Sequence, residues 1–137
     1  PWWQMERVEH DLRAARWVKL NDAELEQLQP GDGIGEALRE RFALDTVIVT
    51  LGARGAVACD DGGVYRTGAP AGVEVVDSVG DGDAFAAVWI VGMIRGWPPH
   101  RTLERAAGFA ATLCTIRGAT TSDRALYEGV LASWEEE

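Results

Sequence analysis

Asp77-Ser78-Val79-Gly80-Asp81-Gly82-Asp83-Ala84-Phe85 is the stretch whose reading decides the fold. A β-branched run (Val73, Val75, Val76) precedes it and an apolar run from Ala84 to Ile94 follows. Strand, tight glycine turn and helix N-terminus in that order make an anion site. Backbone N–H groups and the positive end of the helix dipole converge on one point. Gly80, Asp81 and Gly82 would donate those N–H groups, and Asp83 lands in the first helical turn, where a carboxylate is favoured. A phosphate held beside a carboxylate able to take a proton is the minimum apparatus for phosphorylating an alcohol.

Competing motifs fail on spacing. A dinucleotide-binding fingerprint needs a third small residue where Phe85 stands. Asp77, Asp81 and Asp83 do not follow the EF-hand pattern, and no glutamate closes such a loop. No Gly-Lys-Ser/Thr follows, which excludes a Walker P-loop. An ordinary strand-to-helix turn is the plain alternative.

Outward from this loop, Met5, Val8, Leu12 and Ala15 recur at helical spacing and predict an amphipathic helix over 4–15. Trp17–Leu20 reads as a short strand, with Asn21 capping a helix over Ala23–Leu28. Pro30-Gly31-Asp32-Gly33 breaks the chain before a helix face of Ile34, Leu38 and Phe42. Thr46–Leu51 is apolar and β-branched throughout, the pattern of a parallel strand covered on both faces. Ala56–Cys59 and Val64–Arg66 flank Asp60-Asp61-Gly62-Gly63, read as a four-residue hairpin turn. Gly82–Arg95 is predicted as a helix buried on all sides, stopped by Gly96 with Pro98 and Pro99 beyond. Leu103, Ala106, Ala107, Ala110, Leu113 and Cys114 mark the core stripe of a long helix, and 122–134 a last one capped by Ser122. Helices interleaved with apolar strands predict a mostly parallel α/β sheet with helices on both faces and one β-hairpin. Ligands in such folds gather at the carboxyl ends of strands.

A chain of 137 residues can bury one core, so a single domain is expected. Its net charge of −9 argues against nucleic acid, which demands a basic surface, and against an anionic membrane. The run Ala84–Ile94 is too short to cross a bilayer, which takes about 20 residues. Cys59 and Cys114 are too few for a disulfide framework and read as small buried residues in a reducing compartment, the cytoplasm. His10 and His100 read as surface residues.

Four segments in order resemble the ribokinase-like (PfkB-type) carbohydrate kinases. The loop Asp77–Asp83 resembles the family signature Asp-Thr-x-Gly-Ala-Gly-Asp, with Ser78 and Asp81 as departures. Lys19-Leu20-Asn21-Asp22-Ala23-Glu24 resembles its Asn-x-x-Glu motif. Val47 to Gly55 resembles its Thr-x-Gly-x-x-Gly nucleotide loop, and Ala106 to Ala119 the helix and turn that close over adenine.

The resemblance implies a three-layer ribokinase-like sheet and an ATP-dependent kinase acting on a sugar hydroxyl. Ketoses, ribose, nucleosides and ketodeoxy acids all fall within that family range. It implies Asp83 as general base, with Gly80, Asp81 and Gly82 as the anion hole. Asn21 and Glu24 would hold Mg²⁺ and phosphate through water, although the same pair also reads as an N-cap with its first-turn glutamate. Thr50, Gly52 and Gly55 would line the nucleotide loop, beside a solvated Arg54. Phe109, Ala110 and Leu113 would face adenine, the last two shared with the core stripe. Asp77, Val79 and Gly118 would hold K⁺. A second carboxylate at Asp81 repels phosphate unless it faces solvent or reaches Mg²⁺.

The resemblance places 1–137 as the C-terminal nucleotide-binding and catalytic part, without the N-terminal substrate and lid part. Such a piece is expected to be inactive alone. Trp2 and Trp3 then either packed against the missing part or fray at the terminus. A homodimer is among the expected partners. The other reading of the same residues is a catalytically incomplete nucleotide-binding or regulatory domain.

Overall fold

The computed structural model describes residues 4–68, 72, 81–116 and 122–135. Trp2, Trp3, the expected strand Val73–Asp77, the loop residues Ser78, Val79 and Gly80, and Gly118 lie outside them. The described elements run α1 (Met5–Ala14), β1 (Trp17–Asn21), α2 (Asp22–Leu28), α3 (Glu36–Phe42), β2 (Thr46–Thr50), β3 (Ala56–Asp60), β4 (Gly63–Thr67), α4 (Asp81–Arg95), α5 (Pro99–Cys114) and α6 (Arg124–Glu135).

The described sheet has four strands in the order β1-β2-β3-β4. β1 and β2 are parallel, joined by a crossover through α2 and α3, while β2–β3 and β3–β4 are antiparallel. The sheet is therefore mixed, which corrects the expectation of a mostly parallel one. A parallel return needs a crossover of about a dozen residues or more, and the five residues from Leu51 to Gly55 cannot supply it.

Side-chain alternation along β2 splits the core. Val47 and Val49 pack with Leu12, Leu20, Leu25, Leu38 and Phe42, drawn from β1 and α1–α3. Ile48 packs with Ala56, Ala58, Phe85, Val88, Trp89 and Leu103, drawn from β3, α4 and α5. Cys59 and Cys114 are buried and not disulfide-bonded. Burial first, then the Glu36 and Asp32 carboxylates, push the Cys59 thiol up to about 11.

Three local expectations need correction. Asp60 pairs with Gly63 as the last rung of the hairpin, leaving Asp61-Gly62 as a two-residue turn. Asp60 Oδ1 accepts from the Gly62 and Gly63 N–H groups at 2.7 and 3.1 Å, and Gly63 takes a φ of 136°. The cap of α6 is Asp123, whose Oδ1 accepts from Ala125 N–H at 3.0 Å, not Ser122. And α4 is not buried on all sides: Ile90 is 51% and Ile94 80% exposed.

Candidate active site at the strand ends

Because β1 and β2 are parallel, their carboxyl ends coincide. Asn21 lies opposite Thr50, Thr50 opposite Ala56, and Ala56 opposite Thr67, a row across one end of the sheet. Asn21 leaves β1 in extended conformation and caps α2: its Oδ1 accepts from Glu24 N–H at 2.8 Å. Glu24 Oε2 in turn accepts from Asn21 N–H at 2.9 Å, which closes a capping box. The plain N-cap reading of this pair is thus realised. It leaves Glu24 Oε1 with no hydrogen bond among the described residues and the side chain exposed. An exposed carboxylate oxygen of this kind fits a hydrated Mg²⁺, which keeps much of its own water.

After β2, residues Gly52–Arg54 form a single 3₁₀ turn. Gly52 sits at φ 57° and Gly55 at φ 92°. At Gly55 a Cβ would run into the Thr67 carbonyl oxygen, so glycine is required there by space as well as conformation. Leu51 N–H donates to Gly55 O at 2.8 Å across the loop. Thr50 Oγ1 donates a long bond to Leu20 O at 3.5 Å. Arg54 is not simply solvated: its guanidinium pairs with Asp22 at 2.9 Å and ties the loop to the first turn of α2. Both partners are largely exposed, so the pair positions more than it stabilises.

The third component is the N-terminus of α4. Asp81 and Gly82 open the helix, and Asp83 stands exposed in its first turn. Lys19 of β1 reaches this point: its Nζ lies 3.3 Å from where a Gly82 Cβ would be. Sequence reading quoted Lys19 but gave it no role. The available signal was a lone cation two residues before Asn21 in an otherwise apolar strand. Its side chain points to the α4 face because Val18 and Leu20 take the α1–α3 side.

The three residues expected to face adenine, Phe109, Ala110 and Leu113, all lie on α5. Phe109 packs edge-on against Trp134 at 6.3 Å and tilted against Tyr127 at 6.0 Å, both from α6. Ala110 is half-buried and Leu113 buried in the α5 stripe. Asp77, Val79, Gly80 and Gly118 lie outside the described residues, as does the side chain of Asp81. Among the described residues no three His, Cys, Asp or Glu gather into a metal cluster, and no helix is long and apolar enough to cross a membrane.

Known proteins share this fold. Residues 1–126 match the pfkB family of carbohydrate kinases. The chain is 44% identical over 72 residues to fructoselysine 6-kinase of Escherichia coli K12, a match covering 53% of this chain and 25% of that protein. It is 36% identical over 77 residues to 2-dehydro-3-deoxygalactonokinase of Haloferax volcanii, covering 56% of this chain and 24% of the relative. An E. coli structure assigned as ribokinase II, solved in complex with ATP and Mg²⁺, superposes with a TM-score of 0.77 at 26% identity. That superposition covers 93% of this chain and 42% of the other. The chain thus spans well under half of the relatives it matches. A glycine-shaped loop after β2, a capped Asn-x-x-Glu turn and an acid in the first turn of α4 fit the match over 1–126: the chain belongs to the pfkB family of carbohydrate kinases.

Proposed function

We propose that residues 1–137 are the nucleotide-binding and catalytic part of a cytoplasmic ATP-dependent carbohydrate kinase, whose substrate and lid part is supplied by polypeptide outside this chain. The observation that carries this reading is the meeting of Asn21, Thr50 and the Gly52–Gly55 loop at the ends of β1 and β2, with Lys19 and Asp83 beside them at the mouth of α4. The names of its relatives favour a sugar or sugar-acid acceptor.

In this reading the acceptor hydroxyl oxygen bonds to the γ-phosphorus, the bridging β–γ bond breaks, and ADP leaves. Asp83 takes the hydroxyl proton. Its service is late proton acceptance at a fixed place, where position matters more than basicity. The N–H groups at Gly80, Asp81 and Gly82 face the charge growing on the transferred phosphoryl. Lys19 adds the cation that an otherwise acidic loop lacks, offsetting the Asp81 carboxylate. Thr50, Gly52 and Gly55 cradle the nucleotide phosphates, while Phe109, Ala110 and Leu113 border the adenine. Glu24, with Asn21, would hold Mg²⁺ through water, and Asp77, Val79 and Gly118 would hold K⁺. Bound with ATP, Mg²⁺ would neutralise phosphate oxygens.

The test is kinase turnover in the complete enzyme together with calorimetry of Mg-ATP. Asp83→Asn is expected to lower kcat by about 10²–10⁴-fold with the ATP Kd unchanged, whereas Lys19→Met weakens ATP itself. Near-normal kcat in Asp83→Asn would remove the base. A second reading of the same residues is a nucleotide-binding or regulatory domain without turnover. It requires ATP heat with no sugar-dependent ADP release in the complete protein.

A further inference from the structure

The corner where α4 hands over to α5 breaks a local rule. The first turn of a helix favours acids, because its N–H groups make that end positive. α5 has no acid there: it carries His100 and Arg101, behind an N-cap residue, Pro98, that offers no side-chain hydrogen bond. Arg105 follows one turn on, and Arg95 ends α4 on the other side of Gly96. In a chain of net charge −9, four basic side chains thus fall between positions 95 and 105, against the single acid Glu104. A local preference broken in this way is a mark of function.

Three of these cations line a cavity. About 360 Å³ in volume, it is walled by Trp97, Pro98, His100, Arg101, Arg105 and Trp134. Arg105 is 7% exposed, held over the Trp97 ring at 4.2 Å and the Trp134 ring at 5.7 Å, with Nη2 donating to Trp134 O at 2.8 Å. The two indoles meet edge-on at 5.5 Å. A guanidinium pinned in this way has already lost its rotamer freedom, and in a poorly hydrated wall its charge acts more strongly than in water. Arg101 is half-buried and His100 exposed. Along α4, about 18 Å of helix rise separates Asp83 from Arg95, so the cavity is no part of the strand-end site.

We propose that this cavity is a second binding site, for a small organic anion: a phosphate ester or a carboxylate on a short carbon body. The guanidinium groups of Arg101 and Arg105 present N–H donors whose fork matches oxyanion geometry. An anion seated there also offsets the cations that stand at the positive end of α5. The indoles of Trp97 and Trp134 suit the carbon body, and the volume lies at the small end of ligand pockets, about 300–1,000 Å³. Its distance from Asp83 makes the occupant neither the nucleotide nor the acceptor of the proposed reaction. The site stands on its own residues and does not rest on the kinase reading.

Calorimetry of this chain with glycerol 3-phosphate, citrate and inorganic phosphate tests it. Saturable binding with a Kd of about 1 mM or tighter is expected for at least one of the two organic anions. Which of them binds separates ester from carboxylate. Inorganic phosphate is expected to bind more weakly, because it brings no carbon body to the indoles. Arg101→Ser is expected to weaken binding roughly tenfold or more, the loss of a charge-assisted pair, and Arg101→Lys by less. Arg101 is chosen over Arg105, whose buried stack is part of the fold. Lys19→Met, at the strand ends, is expected to leave the anion heat unchanged. No saturable heat with any of the three anions overturns the proposal, as does an affinity indifferent to Arg101→Ser. Binding lost in Lys19→Met but kept in Arg101→Ser would put the anion at the strand ends instead. Equal affinity for all three would reduce the cavity to diffuse attraction by positive charge, and the second site would fall.

Discussion

α4 and α5 lie side by side over the same face of the sheet and are 15 and 16 residues long, yet they account for their apolar residues very differently. In α5 the stripe is consumed inside the chain: Leu103 is 1% and Ala106 0% exposed, with Leu113 and Cys114 also buried. In α4 only the Phe85, Val88 and Trp89 side is consumed, while Ile90 and Ile94 face out. Two helices of nearly equal length and shared packing thus differ in how much apolar side chain they leave in water. The side it leaves uncovered begins with Asp83.

The comparison breaks most visibly at α5. Leu103→Ala removes a side chain with nowhere to relax and is expected to cost about 2–5 kcal/mol, checked by urea unfolding. A cost under about 1 kcal/mol would mean that α5 is no better buried than α4. Next in size is the seam between the two helices. A Cβ at Gly92 would press on the Thr102 methyl and lie 2.7 Å from its Oγ1. Gly92→Ala is expected to cost about 1–3 kcal/mol, even though alanine is the better helix former. Adding Thr102→Ala should return part of that loss, a non-additive cycle expected of groups in contact. Additive losses would separate the helices.

What could be read in the residues follows the same division. The α5 stripe was legible because polar residues interrupt it and mark which side is wet. The run Ala84 to Ile94 has no such punctuation, so periodicity could not say which side is covered, and burial all round was the default. Thr102 and Arg105 were missed for the converse reason, polar types at buried positions. Thr102 Oγ1 donates to Pro98 O at 3.1 Å, and Arg105 stacks 4.2 Å over Trp97 and donates to Trp134 O at 2.8 Å. The mixed sheet was hidden because a strand buried on both faces looks alike beside parallel or antiparallel neighbours. At the site, the Asn21–Glu24 box and the glycines of the 52–55 loop were legible as local chemistry. Lys19 was not, because its meaning depends on where α4 comes to rest.

The smallest expected effect is the sharpest discriminator. Ile94→Ala deletes as much apolar side chain as many core truncations, and in α5 such a deletion would be severe. At 80% exposure the group removed is already in water, so the change is expected to stay within about 0.5 kcal/mol, with alanine's better helix propensity pushing toward a slight gain. Urea unfolding of this chain alone checks it. A loss above about 2 kcal/mol would mean that Ile94 packs within the chain, and the contrast between the two helices would fall. If stability instead holds, it is burial and not side-chain size that sets the cost of truncation along the two helices.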